Sequence, residues 1–197
     1  MSNNQNQVTL EGQTTETPVL SHENHGARFY RFTLQVPRLS GQSDLLPILT
    51  PEANLEQIRP GIPLSVQGQL RSFNNRTGVG SRLILSVYAR NIREGTGVPR
   101  NRILLSGTIC KPPIFRRTPL GRGICDIMLA VSRPYGRADY LPVIAWGQLA
   151  LETSALHVGD PLELEGRVQS RIYHKVTEDG ATEERTAYEV SMMRRPE

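Results

Sequence analysis

The sequence predicts an all-β protein of two tandem, five-stranded Greek-key barrels, each with a short helix between its third and fourth strands. Three observations predict it: the chain repeats itself, its apolar residues alternate with period two, and one stretch in each repeat reads as helical. "NQVTLEGQTTETPVL", from Asn6, returns as "NRILLSGTICKPPIF", from Asn101, an offset of 95 residues. The register then holds through Gly12 and Gly107, Pro18 and Pro113, Arg38 and Arg133, and Asp44 and Asp139.

In the second copy the first three strands fall on "RILLSGTI", "ICDIMLAV" and "YLPVIAW", which are rich in β-branched and aliphatic residues. The helical stretch is "LALETSAL", matched by "EANLEQI" in the first copy. Beyond it "GIPLSVQG" matches "GDPLELEG" at an offset of 98, so the second copy gains about three residues there. In the fourth strand, "LELEGRVQSRIY", Leu162, Leu164, Gly166, Val168, Ser170 and Ile172 share the inward parity, and Arg167, Gln169, Arg171 and Tyr173 the outward one. The first copy repeats this, with Leu64, Val66, Gly68 and Leu70 inward and Gln67, Gln69, Arg71 and Phe73 outward. An "EDG" hairpin tip at 178–180 leads into the fifth strand, "TAYEVSMM". The domains are therefore 1–93 and 101–197, with a glycine- and proline-bearing linker at 94–100. Five strands with a helix between the third and fourth is the OB-fold layout, whose open face and loops bind oligonucleotides.

The 197 residues are enough for two small domains, and no run approaches the roughly 18 apolar residues of a spanning helix. "MSNNQNQVTL" lacks the features of a secretory signal, so a cytoplasmic protein is expected. Cys110 and Cys125 read as small hydrophobes, being too few and too far apart for a disulfide framework or a C-x-x-C site. The net charge of +4 is carried almost wholly by arginine, which suits phosphate and base stacking. Enzymatic readings find little support. There is no phosphate-binding G-x-x-x-x-G-K-[ST] loop, His22 and His25 lack further ligands, His157 and His174 are isolated, and the acidic residues from Glu178 to Glu184 sit at a solvated hairpin tip. No catalysis, metal or cofactor is expected.

The second copy, with its opening N-R strand, "TPLGRG" loop, "LAVSRPYG" strand end, "WG" pair and "LEGRVQSRIY", resembles the bacterial single-stranded DNA-binding protein family. That resemblance implies binding of single strands with little sequence preference, bases stacking on aromatic side chains over a basic groove, to protect exposed strands in replication, recombination or repair. Matched by motif, the stacking positions fall on Tyr135, Tyr140, Trp146 and Tyr173. Tyr140 and Trp146 lie six residues apart on one strand and leave the same face, although spacing alone leaves a core tryptophan equally open. The cations interleaved with them are Arg116, Arg117, Arg122, Arg133, Arg137, Arg167, Arg171 and Lys175.

The first copy holds Ser40, Leu45, Pro51 and Asn75 at the four stacking positions, leaving Phe29, Tyr30 and Phe73 as partial substitutes. The second copy is therefore expected to carry most of the binding. The resemblance further implies a nucleoid-associated homodimer that presents four OB folds. The chain ends "SMMRRPE" soon after its last strand, and no acidic recruitment tail is expected. An OB-fold scaffold or primosome-type adaptor with weak or no DNA binding is the alternative, and an RNA-binding OB module a third, because stacking does not read the 2′-hydroxyl.

Overall fold

The computed structural model describes residues 5–196; the opening "MSNN" and Glu197, which the predicted domain spans include, lie outside the described residues. Copy one comprises β1 (Asn6–Gly12), β2 (Val19–Asn24), β3 (Ala27–Pro37), β4 (Ser43–Pro51), a 3-10 helix (Glu52–Gln57), β5 (Leu64–Asn74) and β6 (Leu83–Glu94). Copy two comprises β7 (Arg100–Ile109), β8 (Ile114–Arg117), β9 (Gly123–Arg133), a 3-10 turn (Pro134–Gly136), β10 (Arg137–Trp146), α1 (Gln148–Ser154), β11 (Pro161–Val176) and β12 (Thr182–Arg194). The fold is the expected pair of OB barrels, with a short helix between the third and fourth barrel strands of each.

Each copy has six strands among the described residues where the sequence predicts five. The connection after the first barrel strand folds back as a hairpin, β2 on β3 and β8 on β9. In copy one the turn falls on His25 and Gly26, both with positive φ (48° and 79°), the backbone a tight hairpin turn requires. All six β2 residues are exposed, so no apolar alternation marks it as a strand. Ile172, read as inward, is 62% exposed, because β11 and β12 run past the barrel as a paired arm as far as Val176 opposite Thr182. Leu162, Leu164 and Val168 point inward as read.

The repeated glycines close the barrels. A Cβ on Gly12 would collide with the Gln35 carbonyl oxygen, and one on Gly107 with that of Ala130, at matching places where the first barrel strand crosses the second. Gly68 and Gly166 meet the Tyr88 and Ser191 carbonyls in the same way, where the fourth strand bulges against the fifth. Cys125 is buried and Cys110 half-buried, and burial pushes both thiols up, in keeping with small hydrophobes.

The two barrels share one ladder, in the order β2-β3-β4-β6-β5-β1-β7-β11-β12-β10-β9-β8. β1 and β7 pair antiparallel from Asn6 opposite Leu105 to Glu11 opposite Arg100, and Val8 lies opposite Ile103, its own counterpart in the repeat. A local two-fold axis therefore passes through that rung, and the contacts about it come in pairs. Asn6 bridges the Leu70 N–H and carbonyl (2.9 and 2.7 Å), and Asn101 bridges those of Val168 (2.9 and 2.7 Å).

Asp139, 1% exposed, accepts from Arg133 Nε (2.7 Å) and, across the seam, from the Ser72 N–H (2.8 Å). Its counterpart Asp44, also 1% exposed, accepts from Arg38 Nε (2.9 Å) and the Ser170 N–H (3.1 Å). The serine hydroxyls complete the clasps, accepting the Tyr140 N–H (2.8 Å) and the Leu45 N–H (3.0 Å). Copy one ends at Glu94 and copy two begins at Arg100, and Glu11 fixes the connection by accepting from the Thr96 N–H (3.1 Å) and hydroxyl (2.8 Å).

Removing one partner of a buried ion pair strands the other charge. Asp139→Ala is expected to lower the unfolding free energy by about 3 kcal/mol, the low end for such a change because Arg133 is still 17% exposed to water; urea denaturation measures it. Glu165 accepts from Arg102 of β7 and Arg194 of β12, and those bonds hold its carboxyl at about 2 instead of the ordinary 4.5. A depressed carboxyl stabilises the fold above its unfolded value and loses that effect as pH falls. Stability should therefore decline from about pH 4.5 towards about 2, and Glu165→Gln should flatten that part of the profile in pH-dependent denaturation.

Candidate nucleic-acid interface

β10 alternates in the manner the pleat dictates: Asp139, Leu141, Val143 and Ala145 are buried towards the barrel, while Tyr140 and Trp146 leave the other face. Trp146 is thus not a core residue. It is half-buried at the end of β10, with the Arg122 guanidinium 4.7 Å from its ring centroid, a cation–π stack. Tyr140 is 46% exposed at the seam, where its N–H reaches Ser72 of copy one. At about 3.3 Å per residue, the two rings stand roughly 20 Å apart along the strand.

Beside Trp146 runs a groove of about 960 Å³. Copy two lines it with Arg122, Arg167, Gln169, Arg171 and Tyr188, and copy one completes it with Arg38, Gln42, Ser43 and Leu45. Four arginines line the groove and, among the described residues, no carboxylate does. Arg38 is paired with Asp44, and Arg171 Nε lies 3.2 Å from Glu189. Arg167 is different: its Nε is buried and has no hydrogen-bond partner among the described residues. A buried donor left unmatched costs about 1–3 kcal/mol, so an acceptor-rich ligand in the groove gains by satisfying it.

The remaining predicted residues are dispersed. Tyr135 is fully exposed at the tip of the β9–β10 connection, between Pro134 and Gly136, in a left-handed conformation (φ 66°) uncommon for a side-chain-bearing residue. Tyr173 is half-buried on the hairpin arm, with Arg171 5.7 Å from its ring centroid and Arg185 opposite on β12. Lys175 is exposed, opposite Glu183 on the same arm. Arg116 is ion-paired with Asp126 (2.7 Å), and Arg117 lies over Phe115 (5.8 Å) and donates to the Gly121 carbonyl (3.1 Å). Arg137 is exposed, opposite Arg133 in the ladder. Arg133 itself, expected to meet DNA, is committed to Asp139 and to the Ser72 carbonyl (3.2 Å); it holds the barrels together.

Sequence reasoning missed Tyr188, whose hydroxyl is pushed up by burial, and the copy-one residues that complete the groove. Tyr188 stands opposite Ser170 on β11, so pairing "TAYEVSMM" with the fourth strand would have brought it to this face. No signal within one repeat points to Arg38, Gln42 or Ser43, because they arrive only through the seam.

The model of the Single-strand binding protein family matches residues 100–194, the whole of copy two up to the end of β12. A single-stranded DNA-binding protein from Clostridium tetani is 34% identical over 80 residues, covering 37% of this chain and 55% of that protein. Single-stranded DNA-binding protein B from Bacillus subtilis is 32% identical over 81 residues, covering 37% of this chain and 71% of that protein. The chain belongs to the single-strand binding protein family. It spans about half the length of the first curated relatives it matches. The crystal structure of the wild-type single-stranded DNA binding protein from Thermus aquaticus, 25% identical, superimposes with a TM-score of 0.78, covering 100% of this chain and 95% of that one. The family model thus reaches copy two, while the Thermus aquaticus structure matches both copies and the way they are joined.

Proposed function

We propose that this chain binds single-stranded DNA with little sequence preference and protects exposed strands during replication, recombination or repair. The observation that carries the reading is the groove of copy two, where an outward tryptophan under Arg122 adjoins Arg38, Arg167 and Arg171, with no carboxylate among the described lining residues. Bases stack on Trp146 and Tyr140 at the two ends of β10, and every base offers a π-face, so the platform does not discriminate among them. Phosphates meet Arg122 and the unmatched Nε of Arg167, with Arg137, Tyr135, Arg171, Tyr173 and Lys175 extending the track along the loop and the hairpin arm. Nothing in this mechanism makes or breaks a covalent bond.

We also propose a homodimer presenting four barrels. The strand ladder ends at β2 and β8, and the edge of β2 is exposed along all six residues, a place where a second copy can pair.

Two experiments follow. The double variant Tyr140→Ala/Trp146→Ala should weaken binding of a labelled oligonucleotide by at least about tenfold, since each stack contributes about 1–3 kcal/mol, while circular dichroism stays that of the parent. Unchanged affinity would remove the platform. Light scattering of the free protein should return twice the chain mass; a single-chain mass would remove the dimer.

A further inference from the structure

Arg171 differs from the other arginines of the groove in how it is held. Arg38 binds Asp44 through both Nε and a terminal nitrogen, Arg122 lies over Trp146, and Arg167 Nε has no partner among the described residues. Arg171 is tied by Nε alone, 3.2 Å from Glu189 Oε1, and neither of its terminal nitrogens makes a hydrogen bond among the described residues. Its side chain is 51% exposed, and its guanidinium sits 5.7 Å from the Tyr173 ring centroid.

Glu189 is itself fixed. It stands opposite Gln169 on the ladder, and Gln169 Nε2 donates to the same oxygen at 2.9 Å. Both residues are buried, and Glu189 lies behind the groove, not among its lining residues. One buried carboxylate on β12 thus anchors a run of outward side chains on β11, namely Gln169, Arg171 and, under the arginine, Tyr173.

We propose that Glu189 is a positioning residue for the single-strand site: it aims Arg171 over Tyr173 and leaves the terminal nitrogens to a phosphate, without touching the nucleic acid itself. This rests on the single-strand-binding reading above.

An exposed arginine samples many rotamers, and ordering one only on binding weakens affinity by about two- to twelvefold. The bond to Glu189 orders Arg171 beforehand. A carboxylate near a phosphate also repels it, so the surrounding charges decide the sign. Glu189 faces Arg171, and its charge also reaches Arg116 of β8, which is already paired with Asp126 (2.7 Å). These four charges cancel. A phosphate on the terminal nitrogens stands nearer the guanidinium than the carboxylate behind Nε, so attraction outweighs repulsion.

Copy one has no such anchor. The rung of Gln169 and Glu189 corresponds to Arg71 opposite Ser86, and Phe73 and Asn75 stand for Arg171 and Tyr173. Its rings gather elsewhere: Phe29 faces Pro51, which stands for Trp146, and lies 6.3 Å from Tyr88. The Glu189 tie therefore belongs to the copy that holds the Trp146 groove.

The test measures the affinity of the full chain for a labelled dT oligonucleotide in Glu189→Ala, Arg171→Ala and the double variant. Glu189→Ala should weaken binding by about two- to twelvefold. Arg171→Ala should weaken it at least as much, and the double variant no further, because Glu189 acts only through that arginine. Glu189→Gln keeps an oxygen for Arg171 Nε and should recover most of the loss. Unchanged or tighter binding by Glu189→Ala overturns the proposal. So does an added loss in the Arg171→Ala background, which marks general damage to the barrel, or an equal loss in Glu189→Gln. If Arg171→Ala binds as the parent does, the proposal falls while the Trp146 platform stands; if the parent itself does not bind, the single-strand reading fails and the proposal with it.

Discussion

Val8 on β1 faces Ile103 on β7, and because each is the other's counterpart in the repeat, this one antiparallel rung sets a two-fold axis inside a single chain. Every other relation between the barrels follows from it. The axis brings the third barrel strand of each copy, β4 or β10, against the fourth barrel strand of the other, which is why Ser72 meets Asp139 and Ser170 meets Asp44. It also carries Arg38, Gln42 and Ser43 to the rim of the groove beside Trp146. Neither barrel alone presents that rim.

The aspartates at the seam show how the fold keeps a charged junction without loss. Each is almost wholly buried, yet each takes bonds from an arginine of its own barrel and a backbone N–H of the other. A carboxylate so satisfied tolerates removal from water, and its demand for fixed donors sets the distance and angle between the barrels more sharply than apolar contact does. Glu165, held between Arg102 and Arg194, makes a comparable tie within copy two, across β7, β11 and β12. The same arginine chemistry that suits phosphate is thus divided between joining the barrels and facing the grooves.

Much of this could be read from the residues. The offset of 95 exposed the two barrels, the repeated glycines marked the places where backbones cross at close range, and the outward parity of β10 set Tyr140 and Trp146 on one face. Periodicity fails where burial stops. β2 and β8 are short, mostly exposed strands held by backbone bonds, and Ile172 lies on an arm with no barrel beneath it. Residue type alone did not separate Arg133 from Arg167: both are arginines near aromatics, but only the fold sets Asp139 beside the first and leaves the second unmatched. Tyr88 escaped for a related reason, and Phe29 was read only as a partial substitute, since position-by-position comparison of repeats is blind to a ring that changes strands.

The short connection at residues 95–99, pinned by Glu11, has an evolutionary consequence. In a pair of identical single-barrel chains, any change to the binding face appears twice, once on each side of the axis. Joining the barrels in one chain ends that obligation. Each side can be altered without its mate, so a scaffold that remains symmetric in its strands, glycines and buried aspartates holds two unlike surfaces, one around Trp146 and the other around Phe29.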